Sequence, residues 1–240
     1  MRLEGIERDG RIITAMYKKT QAFLFGLIAL GALATPSYAL APTKLITGGG
    51  AIGYVIILLS VVGVALIIEH AMNVRREKLA PPELIDELEQ LFAEEQYQEA
   101  LELCESEPGY LTNVLAAALP KVDMGFESME QTAHDIAEEE SIKLLAKVSW
   151  LSLLSAVSPM LGLLGTVWGM IGAFDIIATS SAPEPSEFAG TISLALITTV
   201  LGLIVAIPMM IGYFYFKNKV TRINLEIGAI TEDLLDRFRG

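Results

Sequence analysis

Three stretches of this chain are too long and too apolar to pack easily inside a water-soluble domain. Ala51 to Ile68 carries no charge and is rich in Ile, Leu and Val. Val148 to Ile177 holds one charged residue, Asp175, and Gly190 to Phe216 holds none. A helix needs about 20 apolar residues to cross a hydrocarbon layer of about 30 Å. A buried helix of a soluble protein is normally shorter and keeps a polar face. The expected fold class is therefore an all-α membrane protein with three transmembrane helices.

The charges divide the rest of the chain. They crowd into Glu69 to Lys147 and Lys217 to Arg239. His70, Arg75, Arg76 and Lys78 follow the first apolar stretch, Lys143 and Lys147 precede the second, and Lys217, Lys219 and Arg222 follow the third. The connection between the second and third, with Pro183, Glu184, Pro185 and Glu187, has no Lys or Arg. Positive residues beside a span mark its cytoplasmic side, so each boundary predicts the same topology: N-terminus out, C-terminus in. The expected spans are residues 50–69, 148–177 and 190–216, with a cytoplasmic helical domain at 70–147, a periplasmic loop at 178–189 and a cytoplasmic helical tail at 217–240.

Upstream, Lys18 and Lys19 precede the apolar run Ala22 to Leu33, and Ser37-Tyr38-Ala39 supplies the small residues of a signal-peptidase site. A signal peptide is expected over residues 1–39, with Met16 as a candidate start, followed by a short periplasmic segment at 40–49. The alternative is an uncleaved first span.

Residues 83–150 read as helical and solvated. Pro81-Pro82 suits a helix start, and Leu84, Leu88, Leu91 and Phe92 fall at helical spacing, as do Ala100, Leu101 and Cys104. Pro108-Gly109 and Lys121 to Gly125 punctuate the region. From Ser128 the stripe Met129, Ala133, Ile136, Leu144, Leu145, Val148 leads without interruption into the second span. Beyond the third, Val220, Ile223, Ile227, Ile230 and Leu234 continue the period, so two helices are expected to project well past the bilayer.

Several function classes find no support. A net charge of −12 with no basic cluster argues against nucleic-acid binding. Cys104 is the single cysteine, and neither it nor His70 and His134 has metal-ligand spacing; the histidines read as packing or surface residues. No phosphate loop, zinc-protease motif or activated nucleophile is present, so no enzymatic activity, metal or cofactor is expected. Gly48 to Gly50 is a linker, since no lysine follows it.

The second and third spans carry small and polar residues in register. Ser152, Ser155, Pro159, Gly162, Thr166, Gly169 and Ala173 recur at steps of three and four, as do Ala195, Thr199, Gly202 and Ala206, with Ser193 and Thr198 beside them. Small residues let helices approach closely in lipid, and packing is the ordinary reading of Gly162, Gly165, Gly169 and Gly202. A lone threonine can satisfy itself on its own helix; two on the small-residue faces of neighbouring spans suggest a polar strip facing a partner or a pore.

The runs Ser158-Pro-Met-Leu-Gly-Leu-Leu-Gly-Thr166-Val-Trp-Gly-Met170 and Ala195-Leu-Ile-Thr-Thr199-Val-Leu-Gly-Leu-Ile-Val-Ala-Ile-Pro208 resemble the two signature helices of the MotA/TolQ/ExbB proton-channel family. The layout is most similar to ExbB and TolQ. The resemblance is sharp over Ser149 to Tyr215 and rests mainly on layout over Tyr54 to Lys147. It implies a homopentamer in the bacterial inner membrane around a single-span partner of the ExbD/TolR type, whose transmembrane Asp carries protons. It further implies a TonB/TolA-type energy transducer and the coupling of ion flow to mechanical work for envelope transport or maintenance. Thr166 and Thr199 match the family's pore-lining threonines, with Ser155 and Thr198 joining them as candidates for the ion path, and Pro159 matches its proline at the inner end of the second span. Pro159, Gly162, Gly165, Gly169, Ala195, Gly202 and Ala206 are the candidate packing residues. The chain departs from the family at Leu194, where relatives usually carry Glu; Asp175 is the one acidic candidate within the second and third spans. That departure leaves a passive membrane scaffold of the same fold as the alternative function.

Overall fold

The computed structural model describes residues 49–182 and 184–239. The signal peptide expected over 1–39 and nearly all of the segment 40–49 lie outside them. All regular structure among the described residues is helical.

Helix α1 (Gly50–Asn73) contains the first apolar stretch. At 24 residues it is about 36 Å long, enough to cross a bilayer core. A short α2 (Arg76–Leu79) leads to α3 (Pro82–Ala93), which opens with proline where its missing N–H costs nothing. Then come α4 (Tyr97–Ser106), α5 (Tyr110–Ala118) and a 3₁₀ turn over Leu119–Met124. Gly125 has φ of 95°, a conformation few other residues tolerate, and reverses the chain into α6.

Helices α6 (Phe126–Thr179) and α7 (Pro185–Leu235) dominate the molecule, with 54 and 51 residues. Each runs about 75–80 Å, more than twice a bilayer core. Pro159 and Pro208 sit inside them without ending them. Only Ser180 to Glu184 separates the two helices. The expected loop at 178–189 thus contains the last residues of α6 and the first turn of α7, because Pro185 can begin a helix. Gly169 faces Ala195, Gly162 faces Thr198 and Thr199, and Gly202 faces Ser158, so the pair is antiparallel. With α1, these are, among the described residues, the three helices long and apolar enough to cross a membrane.

α1 lies against both long helices. Gly63 fits against Met209 and Leu154, and Gly212 against Ile67 and Leu151. At its charged end the buried His70 places Nε2 3.1 Å from the Lys147 carbonyl and its ring edge-on to Phe216, joining all three helices. His134 is exposed. Most other α1 side chains, including Leu58, Val61 and Ile68, face outward.

Beyond the apolar stretches, α3 to α5 pack on the extensions of α6 and α7. Leu88, Phe92, Leu111, Val114, Leu115, Met129, Ile227, Leu234 and Leu235 are buried together, and Phe92, Tyr97 and Phe238 form an aromatic cluster. The stripe expected on α7 follows this core: Val220, Ile223, Ile227 and Leu234 are buried and Ile230 is half-buried. Cys104 is buried here, and burial, followed by the nearby Glu105 charge, pushes its thiol up to about 11, so it stays protonated at neutral pH.

Tyr110 connects three helices at this level. Its hydroxyl donates to the Ala137 carbonyl of α6 at 2.6 Å and contacts the side-chain amide of Asn224 on α7. Burial, and then the Glu140 charge, pushes its pKa up to about 12. Tyr110→Phe removes the hydroxyl and leaves a half-buried amide without its partner, a loss of about 1–2 kcal/mol. A lower thermal midpoint in detergent is the expected result, with no change in the mass of the assembled protein.

Candidate functional site

The signature residues of α6 and α7 meet along one seam. A Cβ added to Gly162 would lie 2.8 Å from the Thr198 carbonyl oxygen and 2.9 Å from Thr199 Cα. One added to Gly202 would lie 2.5 Å from the Ser158 carbonyl oxygen and 3.3 Å from Pro159 Cα. The opposing atoms are backbone, so the helices approach as closely as two helices can. Farther along α6, one and two turns after Gly162, Gly165 receives the Thr198 side chain and Gly169 receives the Ala195 methyl. Ala195 and Ala206 are buried and Pro159 is half-buried. The contact lies within one chain, so these small residues first fold the subunit.

The hydroxyls sort by their position on this seam. Ser155 and Ser158 are buried and donate to the Ser152 and Leu154 carbonyls of their own helix, each at 2.7 Å. Thr198 is 3% exposed, and its hydroxyl lies 2.6 Å from the Ala195 carbonyl and 3.0 Å from that of Gly162 across the seam. Its neighbour Thr199 is half-buried and donates to the Gly162 carbonyl at 3.2 Å. Thr166, one turn beyond Gly162, donates to the Leu163 carbonyl at 2.7 Å from the seam's edge. Thr166 and Thr199 thus bracket Gly162 and reach the surface; Thr198 and Ser155 do not.

Each of these hydroxyl protons is directed to a carbonyl, most of which already accept a backbone bond within their helix. The hydroxyl oxygens keep lone pairs for an outside donor. Rotation about the Cβ–Oγ bond would turn the proton to an outside acceptor at small cost, since such back-bonds add little to helix stability. Leu194 is exposed on α7, among the apolar residues facing away from the protein. Asp175 is exposed near the C-terminal end of α6, one turn before Thr179, whose hydroxyl donates to the Asp175 carbonyl. The structure does not bring Asp175 to the Thr166–Thr199 pair, which lies two or more turns away along α6. Among the described residues, no group of three or more His, Cys, Asp or Glu could hold a metal ion.

Comparison with known proteins centres on the same helices. The chain is 32% identical over 112 residues to the biopolymer transport protein ExbB of Xanthomonas campestris pv. campestris, covering 47% of this chain and 44% of that protein. It is 34% identical over 110 residues to the Tol-Pal system protein TolQ of Haemophilus influenzae, covering 44% and 45%. A longer match, 26% over 178 residues, joins it to a putative biopolymer transport protein ExbB homolog of Methanothermobacter thermautotrophicus, covering 74% of this chain and 63% of that one. The matched stretch takes in less than half the length of those ExbB and TolQ relatives. Among solved structures, Campylobacter jejuni MotAB aligns over 91% of this chain and 86% of that chain, with a TM-score of 0.49 and 17% identity. The profile of the MotA/TolQ/ExbB proton channel family matches residues 86–228, which contain the close helix seam, its threonines and most of the helix extensions beyond the apolar stretches. More than half of the chain carries that pattern, and the chain belongs to the MotA/TolQ/ExbB proton channel family.

Proposed function

We propose that this chain is the multi-pass inner-membrane subunit of an ExbB/TolQ-like ion-driven motor. Five copies surround an ExbD/TolR-type single-span partner, and proton flow through the assembly produces mechanical work for envelope transport or maintenance, delivered through a TonB/TolA-type transducer. The N-terminus lies outside and the C-terminus inside. The observation that carries this reading is the Thr166–Thr199 pair: two surface-reaching hydroxyls at the Gly162 close approach of the α6–α7 seam in a proton-channel family member.

In this reading the partner's carboxyl group carries the proton past the pair. A protonated carboxyl donates to a threonine lone pair while the hydroxyl proton stays on its carbonyl. An ionised carboxylate needs a donor, which the same hydroxyl becomes by rotating. The pair thereby serves both protonation states and limits the desolvation cost that would hold the acid neutral in a dry pore. Ser155 and Thr198, closed in the seam, hold the wall against which this exchange occurs. With Leu194 on the exposed face of α7, the partner's acid is the main carrier. Each charge crossing releases about 2.3 kcal/mol per 100 mV.

The test is co-purification with the candidate single-span partner, followed by mass measurement of the intact complex. A reporter active only outside the cytoplasm, fused in the Ser180–Glu187 stretch or after Gly240, reads topology in parallel. The expected results are five copies with the partner, activity of the first fusion and silence of the second. An assembly that forms without any single-span protein would favour a passive scaffold. An active fusion after Gly240 would reverse the topology.

A further inference from the structure

α7 leaves the membrane through a graded stripe. Ile211, Tyr215, Lys219 and Arg222 follow one another at steps of three and four, so they share a face: apolar, aromatic, then twice cationic. Ile211 and Tyr215 are each 40% exposed, with the apolar residues Ile68 and Met72 of α1 also open at this level. The Lys219 ammonium lies 6.0 Å from the centre of the Tyr215 ring, one turn nearer the membrane. The lysine is therefore folded back toward the headgroup layer instead of reaching into the cytosol. Lys217 does the same over Tyr213 at 5.8 Å on another face of the helix.

The orientation follows from helix direction. Side chains lean toward a helix's N-terminus, which on α7 is the membrane end and on α6 the cytosolic end. Accordingly Lys143 of α6 leans away from the bilayer and is neutralised by Glu139 and Glu140 at 2.9 and 3.0 Å. Lys219 and Arg222 have no ion pair among the described residues. Glu226, the next residue on their face, is occupied by Arg76 of α2 at 2.8 Å. That pair brings the α1–α2 junction, with the exposed Arg75 beside it, to within about two turns of Lys219. The acids Glu69 and Glu77 in this junction are outnumbered by Arg75, Arg76 and Lys78, and residues 217–222 contain three cations and no acid.

We infer that the Ile211–Tyr215–Lys219–Arg222 stripe of α7, with the α1–α2 junction beside it, is a binding site for an anionic phospholipid of the adjacent leaflet. The acyl chain lies along Ile211 and Tyr215, and the phosphate sits between Lys219 and Arg222. The inference rests on the membrane-spanning reading of the three apolar helices. Ammonium and guanidinium groups at headgroup depth attract anionic lipid, and a phosphate is the group that a paired Lys and Arg with open donors fits best.

The experiment reconstitutes the full chain in vesicles of equal parts phosphatidylethanolamine and phosphatidylglycerol, extracts it gently and counts retained lipids by native mass spectrometry. Wild type is expected to retain phosphatidylglycerol over phosphatidylethanolamine. K219Q/R222Q is expected to lower that retention by about 25-fold, two cations near the surface each contributing about fivefold. K219R/R222K keeps the charges and should keep the lipid, and K143Q should behave as wild type. Retention unchanged in K219Q/R222Q, or lowered equally by K143Q, would overturn the site. Displacement of the lipid by millimolar inorganic phosphate would make it a free-anion site and remove the lipid assignment. Failure of wild type to float with the vesicles would instead overturn the membrane-spanning reading, and this proposal with it.

Discussion

Thr166→Val and Thr199→Val together are expected to leave the complex assembled and reduce partner-coupled ion flux by about 10- to 100-fold, the worth of a hydrogen bond to a charged group. Valine keeps the branched shape and removes only the hydroxyl. Stability should change little at either site. Thr166 bonds only to Leu163, a carbonyl of its own helix. Thr199 shares the Gly162 carbonyl with Thr198, which remains to bond it. The loss should fall on the transported proton, because the partner's acid would find no donor at the seam for its ionised form and would stay protonated. Complex yield and proton flux, measured together in reconstituted vesicles, check the result. Thr198→Val is the contrast: its hydroxyl is buried against two carbonyls, so it should lower stability before it touches conduction. Leu194→Glu should be tolerated, since the resemblance to ExbB and TolQ implies a Glu at this position and the added carboxylate meets no packed neighbour within the subunit. Full flux in the double threonine variant would leave a passive scaffold, or a path elsewhere, as the better account.

The largest loss of folded protein is expected at Gly202. Its missing side chain leaves room for the Ser158 carbonyl, and even a methyl group would come within 2.5 Å of that oxygen. Backbone cannot rotate aside as a side chain can, so the two long helices would have to separate along the seam. Overpacking by one methyl typically costs about 1–3 kcal/mol; Gly202→Leu, far larger, should prevent accumulation of the folded subunit. Gly162→Ala meets backbone as well and should follow the same pattern. Two controls separate this from a general intolerance of larger residues. At Gly63 the clash is with the sulfur and terminal methyl of Met209, which can swing away, so Gly63→Ala should be milder. At Gly228 nothing lies within 4 Å, and Gly228→Ala should raise helix stability by up to about 1 kcal/mol. Thermal midpoints of the detergent-solubilised variants provide the comparison. Equal midpoints for Gly202→Ala and Gly228→Ala would show that the seam is looser than its geometry.

Hydropathy and charge, both local properties, were enough to reveal the three apolar helices, the concentration of charge at one end of α6 and α7, and the extension of those helices beyond the apolar stretches. The stripe from Val220 to Leu234 announced the buried face of α7, because a period of 3.6 residues marks a face wherever the partner lies. The small residues announced close packing, but their pairing waited for the fold. Gly162 meets Thr198 and Thr199, and Gly202 meets Ser158, only because a connection as short as Ser180 to Glu184 sets the antiparallel register. The same register separates two threonines adjacent in sequence, closing Thr198 into the seam and leaving Thr199 at its margin. No local signal distinguishes them, since about 100° of helix rotation acquires meaning only from the position of the facing helix. His70 and Tyr110 are a similar case. Their partners Lys147, Phe216 and Asn224 lie far along the chain, and only the packing of α1 and α5 on the two long helices turns these polar residues into buried links.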